Sequence, residues 1–113
     1  MMASPNELWL TDFGAPFPGE PANFRPALVV GPADVFGSSI PFVIVVPTTT
    51  THRGLSLHVE IEPNHDNGLD AVSYAQCELV RSINNKRLIA RLGVVDSSIS
   101  HAVERVLRAL LGY

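Results

Sequence analysis

The residues best suited to chemistry sit at the ends of two short apolar runs. Arg25 stands directly before Pro26 and leads into Ala27-Leu28-Val29-Val30. A second run, Val43-Ile44-Val45-Val46, ends at Pro47 and is followed by four threonines, Thr48 to Thr51, and then by His52 and Arg53. Glu20 precedes Arg25 in a stretch rich in Gly and Pro. A residue before proline is held extended, and a guanidinium on such a fixed backbone can grip a phosphate through two parallel hydrogen bonds. Thr48, Thr49 and Thr50 add hydroxyl donors for phosphate oxygens. Glu20 and His52 are the groups able to move a proton, histidine being the usual general acid or base near neutral pH. Plainer readings stand beside these: an Arg25 that snorkels over the core or pairs with Glu20, a solvated Glu20 and His52, and threonines that merely end a strand.

The elements that must carry these groups are short. Glu7 to Asp12 reads as a first strand, broken by the Gly/Pro stretch Phe13 to Gly19, whose loop continues to Phe24. Ala27 to Val30 and Phe42 to Val46 are uniformly apolar and fit strands buried on both faces. Pro32 to Phe36 can form one helical turn, and Gly37-Ser38-Ser39 a turn. Leu57 to Ile61 alternates, which places Leu57, Val59 and Ile61 inward and His58 and Glu60 outward. Asn67-Gly68 signals a turn. Ala71 to Ala75 and Leu79 to Ile83 are further strand candidates, and Lys86 to Leu92 reads as one helical turn followed by a strand. The last segment is an amphipathic helix: Asp96 caps it, Ile99, Ala102, Val103, Val106, Leu107, Leu110 and Leu111 recur at steps of three and four, and Gly112 stands at its end. Five to seven strands and a terminal helix predict one domain over residues 1–113, a small twisted sheet or partly closed barrel with the helix packed on it.

Composition narrows the field. The 113 residues are 46% hydrophobic, enough for a single core. The longest apolar runs, about four to six residues, fall far short of a membrane span. Met1-Met2-Ala3-Ser4-Pro5 lacks the basic and apolar regions of a secretory signal, so a cytoplasmic protein is expected. Cys77 is the only cysteine and the four histidines are scattered, a pattern with neither a disulfide nor metal-ligand spacing; no cofactor is expected. The net charge of −3 argues mildly against non-specific nucleic-acid binding, yet Arg53, Arg81, Lys86, Arg87 and Arg91 could line a local basic groove. Cys77 reads as a buried structural thiol.

Taken in order, these pieces resemble the MazF/PemK family of bacterial toxins over nearly the whole chain. Glu7-Leu8-Trp9-Leu10-Thr11-Asp12-Phe13 looks like the family's opening strand. Gly19-Glu20 and Arg25-Pro26-Ala27-Leu28-Val29-Val30 look like its loop and second strand. Val45-Val46-Pro47-Thr48-Thr49 is similar to its third-strand ending, in which the threonine two places after proline is functional. Arg81-Ser82-Ile83, Lys86 to Gly93 and Leu110-Leu111-Gly112 look like its closing segments. Two departures stand out: Pro5-Asn6-Glu7 where many members have Arg-Gly-Asp/Glu, and Glu78-Leu79 where an Asp-Gln pair is frequent.

The resemblance implies an SH3-like β-barrel of the CcdB/MazF type with a C-terminal α-helix. It also implies a homodimer, a cognate antitoxin, and a metal-independent endoribonuclease that cuts single-stranded RNA at short sequences. Carried over by motif, Arg25, Thr49 and Glu20 are catalytic; Thr48, Thr50, His52, Arg53 and Arg81 are expected to bind RNA. The competing readings are a toxin of the same fold that binds a protein target such as gyrase, and a non-catalytic RNA-binding barrel. The gyrase-directed branch ends in Trp-Gly-Ile, whereas this chain ends in Leu111-Gly112-Tyr113.

Overall fold

The computed structural model describes residues 3–15, 17–20, 23–37 and 39–113. Met1, Met2, Pro16, Pro21, Ala22 and Ser38, which belong to the N-terminus, loop and turn read above, lie outside the described residues. Seven strands form: β1 (Glu7–Asp12), β2 (Phe24–Gly31), β3 (Phe42–Thr49), β4 (His58–Ile61), β5 (Ser73–Gln76), β6 (Arg81–Asn84) and β7 (Leu88–Val94); the helix α1 (Ser97–Leu111) follows. Single 3-10 turns occupy Asp34–Phe36, Cys77–Leu79 and Asn85–Arg87.

All pairings are antiparallel, in the order β4-β5-β3-β2-β1-β7, with β6 also on β3. β3 is the strand that folds the sheet over. Its first half, Phe42 to Val45, pairs with β6, and its last residues, Thr48 and Thr49, pair with β5. The uniform apolarity of β2 and β3 follows from this barrel-like curl, because alternate residues serve two cores. Leu28 and Val46 enter one cluster with Leu8, Ile61, Ala75 and Val103. Ala27, Val29, Val43 and Val45 enter the other with Trp9 and Ile83. Complete burial of a side chain such as Leu28 stabilises the fold by roughly 1.5–3 kcal/mol, so both faces of these strands resist polar substitution.

α1 covers the first cluster with Val103, flanked by Ile99, Ala102, Val106 and Leu107. Asp96 caps it: its Oδ1 accepts from the Ser98 hydroxyl at 2.6 Å and the Ile99 N–H at 3.1 Å, and these bonds hold its carboxyl below the usual range. Gly112 ends it in the left-handed conformation, φ 80°. The apolar stripe runs further than its cover, since Leu110 and Leu111 stay exposed at 41% and 59%.

The strand path is not closed by a β4–β7 pairing. A polar turn fills the gap: Val94 N–H donates to the Asp66 carbonyl at 2.8 Å. Asn67, 1% exposed, organises that turn, donating from Nδ2 to the Glu62 carbonyl at 2.8 Å and accepting the Leu69 N–H at 3.0 Å. Gly68 and Gly93 permit the approach. A Cβ on Gly68 would collide with the Leu92 carbonyl, and one on Gly93 with the Asp66 carbonyl and, at 2.6 Å, with Asn67 C.

The outward placement expected of His58 is corrected. Its side chain is 3% exposed, and Nε2 lies 2.8 Å from Glu78 Oε2. Alternation assumes that one strand face meets water; here the Cys77–Leu79 turn brings Glu78 over that face. Cys77 is buried in the first cluster, and burial, followed by the neighbouring Glu78 charge, pushes its thiol up to about 11.

Candidate active site

Two prolines shape the end of β2 and β3 that carries the chemistry. Ala27 lies opposite Pro47 in the β2–β3 register. Two residues further along each strand come Arg25 and Thr49, so period-2 alternation puts both on one face. Pro26 and Pro47 remove two N–H donors from the ladder, and the Thr48 hydroxyl supplies one by donating to the Pro26 carbonyl at 2.7 Å. Arg25 Nη1 donates to the Thr48 carbonyl at 3.4 Å, which ties the guanidinium to the adjoining strand. Thr49 pairs with β5, opposite Tyr74. Its Oγ1 accepts from the Thr51 N–H at 3.2 Å, leaving the hydroxyl proton to be donated outward.

A groove of about 520 Å³ opens here. Arg25, Thr48, Thr49 and Thr50 line it together with Gly68 to Ala71 and Phe24. Four of the expected site residues therefore share one groove. Thr48 is only 2% exposed and its hydroxyl is committed to Pro26, so it positions Arg25 rather than facing solvent.

The remaining expected residues stand elsewhere. Glu20 is exposed and closes its own turn, Oε1 accepting from the Phe17 N–H at 2.8 Å. His52 lies against the Tyr74 ring, centroids 5.2 Å apart, next to the strand end that bears Thr49. Burial and the Glu60 carboxylate push the Tyr74 phenol up, so it stays protonated at neutral pH. Arg53 is exposed on the loop after β3. Arg81 lies 5.8 Å from the Phe13 ring centroid. Arg87 donates to the Asp12 carbonyl at 3.2 Å, and Arg91 pairs with Glu7 at 2.7 Å. None of these arginines, nor Lys86, lines the groove; among the described residues Arg25 is its only cation.

Asp70, Ser73 and Phe24 are groove residues that sequence reasoning missed. Phe24 read as the end of a loop, and Asp70 fell between a turn signal and a strand candidate. Asp70 joins the groove lining just after the Asn64–Gly68 turn, which packs against β7.

A model of the family described as PemK-like, MazF-like toxin of type II toxin-antitoxin system matches residues 4–111. Endoribonuclease MazF6 of Mycobacterium tuberculosis is 28% identical over 114 aligned residues, covering 98% of each chain. The solved structure of MazF from Deinococcus radiodurans superposes with a TM-score of 0.83 at 24% identity, covering 100% of this chain and 99% of that one. A mycobacterial endoribonuclease solved in complex with its cognate antitoxin gives 0.78 at 21% identity, covering 98% and 96%.

Proposed function

The chain belongs to the family of PemK-like, MazF-like toxins of type II toxin–antitoxin systems, and from that premise we propose that it is an endoribonuclease that cuts single-stranded RNA with the substrate's own 2′-hydroxyl. The observation that carries this reading is the meeting of the Arg25 guanidinium and the Thr49 hydroxyl in one groove. The 2′-oxygen attacks the adjacent phosphorus and the bond from phosphorus to the 5′-oxygen breaks. The 2′-hydroxyl proton is removed and the 5′-oxygen gains one. The products are a 2′,3′-cyclic phosphate and a 5′-hydroxyl, with no water consumed. The Arg25 guanidinium offers a fixed fork of N–H donors and no acceptor. It therefore acts as a clamp, and with Thr49 it holds the non-bridging oxygens as charge builds on the phosphorane. Glu20, the carboxylate that the family resemblance supplies, stands outside the groove here. Its part as a proton acceptor requires the Phe17–Glu20 turn to swing toward Arg25. Thr50 in the groove extends the RNA path, and His52, Arg53 and Arg81, which stand outside it, are RNA contacts on the strength of the family resemblance.

Cleavage is expected to proceed in EDTA, because the clamp supplies the charge stabilisation that a metal would otherwise provide. Polynucleotide kinase should label the fragments directly through their 5′-hydroxyls. Activity that vanishes in EDTA and returns with Mg²⁺, or ends that label only after phosphatase treatment, would refute this chemistry.

The partners follow from the same premise. An acidic segment of a cognate antitoxin lies across the Arg25 groove in place of the RNA backbone, and two copies of the chain form a homodimer. Light scattering at micromolar concentration should give twice the 12.2 kDa chain mass; a monomer there would contradict the dimer. The cytoplasm is the proposed place of action. Among the described residues no helix is long and apolar enough to cross a membrane.

A further inference from the structure

We propose that Asp70 reads the edge of one unpaired RNA base beside the Arg25 clamp and selects a base with an amino donor there, guanine foremost. This rests on the ribonuclease reading above and assigns to it a part that discriminates sequence. Asp70 shares the groove with Arg25, Thr49 and Phe24, yet its carboxylate makes no hydrogen bond or ion pair with another described residue. Asp70 is exposed, so water satisfies its carboxylate in the free protein; a polyanion entering the groove meets a like charge there unless it brings a donor in place of that water.

The backbone around Asp70 is fixed on both sides. Leu69 is buried in the first cluster, with its N–H on Asn67 Oδ1 at 3.0 Å. Ser73, 3% exposed, opens β5 and donates from Oγ to the Ala71 carbonyl at 3.0 Å. Asp70 thus stands on a short bridge between two anchors, and little ordering is needed when a ligand arrives.

An ionised carboxylate only accepts. The Watson–Crick edge of uracil sets two carbonyl oxygens around a single N–H. Cytosine and adenine each offer one amino group. Guanine alone places a ring N–H and an amino group side by side, which matches two carboxylate oxygens. Sequence-specific readers of single-stranded RNA bond such edges while stacking the base on an aromatic ring. Phe24, 63% exposed, is the ring in this groove. A uracil in the subsite would leave the carboxylate desolvated and unsatisfied, the kind of mismatch by which a site rejects a wrong partner.

The test is to cut a randomised single-stranded RNA library with wild type and with Asp70→Asn, then sequence the ends. Wild type should disfavour uridine at one fixed position near the cut, with guanine preferred. Asp70→Asn should change that one preference by roughly 10- to 100-fold, the scale of a bidentate base contact, and leave the other positions alone. Inosine lacks guanine's amino group; at that position it should slow wild type and not Asp70→Asn. Asp70→Ala, checked by melting, should lose the same discrimination without introducing a new donor. Uridine tolerated at every position, an unchanged motif in both variants, or an equal loss of rate on all sequences would overturn the assignment. A protein that cuts RNA but ignores these changes removes only the role of Asp70; one that cuts no RNA removes the ribonuclease reading with it.

Discussion

Arg25→Lys is expected to cut its target RNA about 10²- to 10³-fold more slowly than wild type, the scale for losing one preorganised donor at a developing oxyanion. Lysine keeps the charge and loses the planar fork, so the substitution separates steering from clamping. The melting curve should hardly move, because Arg25 is half-buried at a strand end and belongs to neither apolar cluster. Thr49→Ala should also lose rate without losing fold. The double variant should fall less than the product of the two, since groups that grip one phosphate act as a unit. Single-turnover rates on one oligonucleotide decide the matter. An Arg25→Lys protein that cuts at the wild-type rate would make Arg25 a steering charge and leave the clamp without its main member.

Gly93→Ala is expected to destabilise the fold by at least about 3 kcal/mol, above the usual cost of an overpacked methyl group. The reason lies in what the new atom meets. It collides with the backbone of Asp66 and Asn67, and Asn67 is locked by its own hydrogen bonds. No flexible side chain is available to swing aside. A loss of that size lowers the melting temperature by roughly 10 °C or more in a domain of this length. Gly54→Ala is the control, with φ 65° and open space around the added atom. It should cost about 1 kcal/mol for the left-handed backbone alone. Equal melting of the two variants would mean that the turn yields, and that the contact does not close the sheet.

How much of this was legible in the sequence differs by element. β2 and β3 announced themselves as doubly buried because each alternates between two cores and so carries no polar face. α1 was readable from Asp96 to Gly112, both of which act locally. Arg25 and Thr49 could be paired in advance only through the family resemblance; the residues alone offered a row of hydroxyls, Thr48 to Thr51, without choosing among them. His58 was misread because the turn that covers it lies at Cys77–Leu79, on the far side of β5. Asp70 and the fates of Arg87 and Arg91 were out of reach for the same reason. Asp70 shares the groove with Arg25 by way of a turn packed on β7, while Arg87 and Arg91 are captured by Asp12 and Glu7 on β1. Contacts between residues distant in the chain leave no periodicity behind.

The single thiol of the chain can serve as a clock. Cys77 lies under α1, in the cluster that Val103 seals, and its thiol is pushed up to about 11. A thiol reagent meets two obstacles in the closed molecule: it cannot reach the sulfur, and almost none of the reactive thiolate is present at neutral pH. Modification therefore proceeds through molecules in which the helix has lifted, and its rate counts those openings. Any ligand that pins α1 to the sheet slows the count, and the ratio of the two rates measures in solution how firmly it holds.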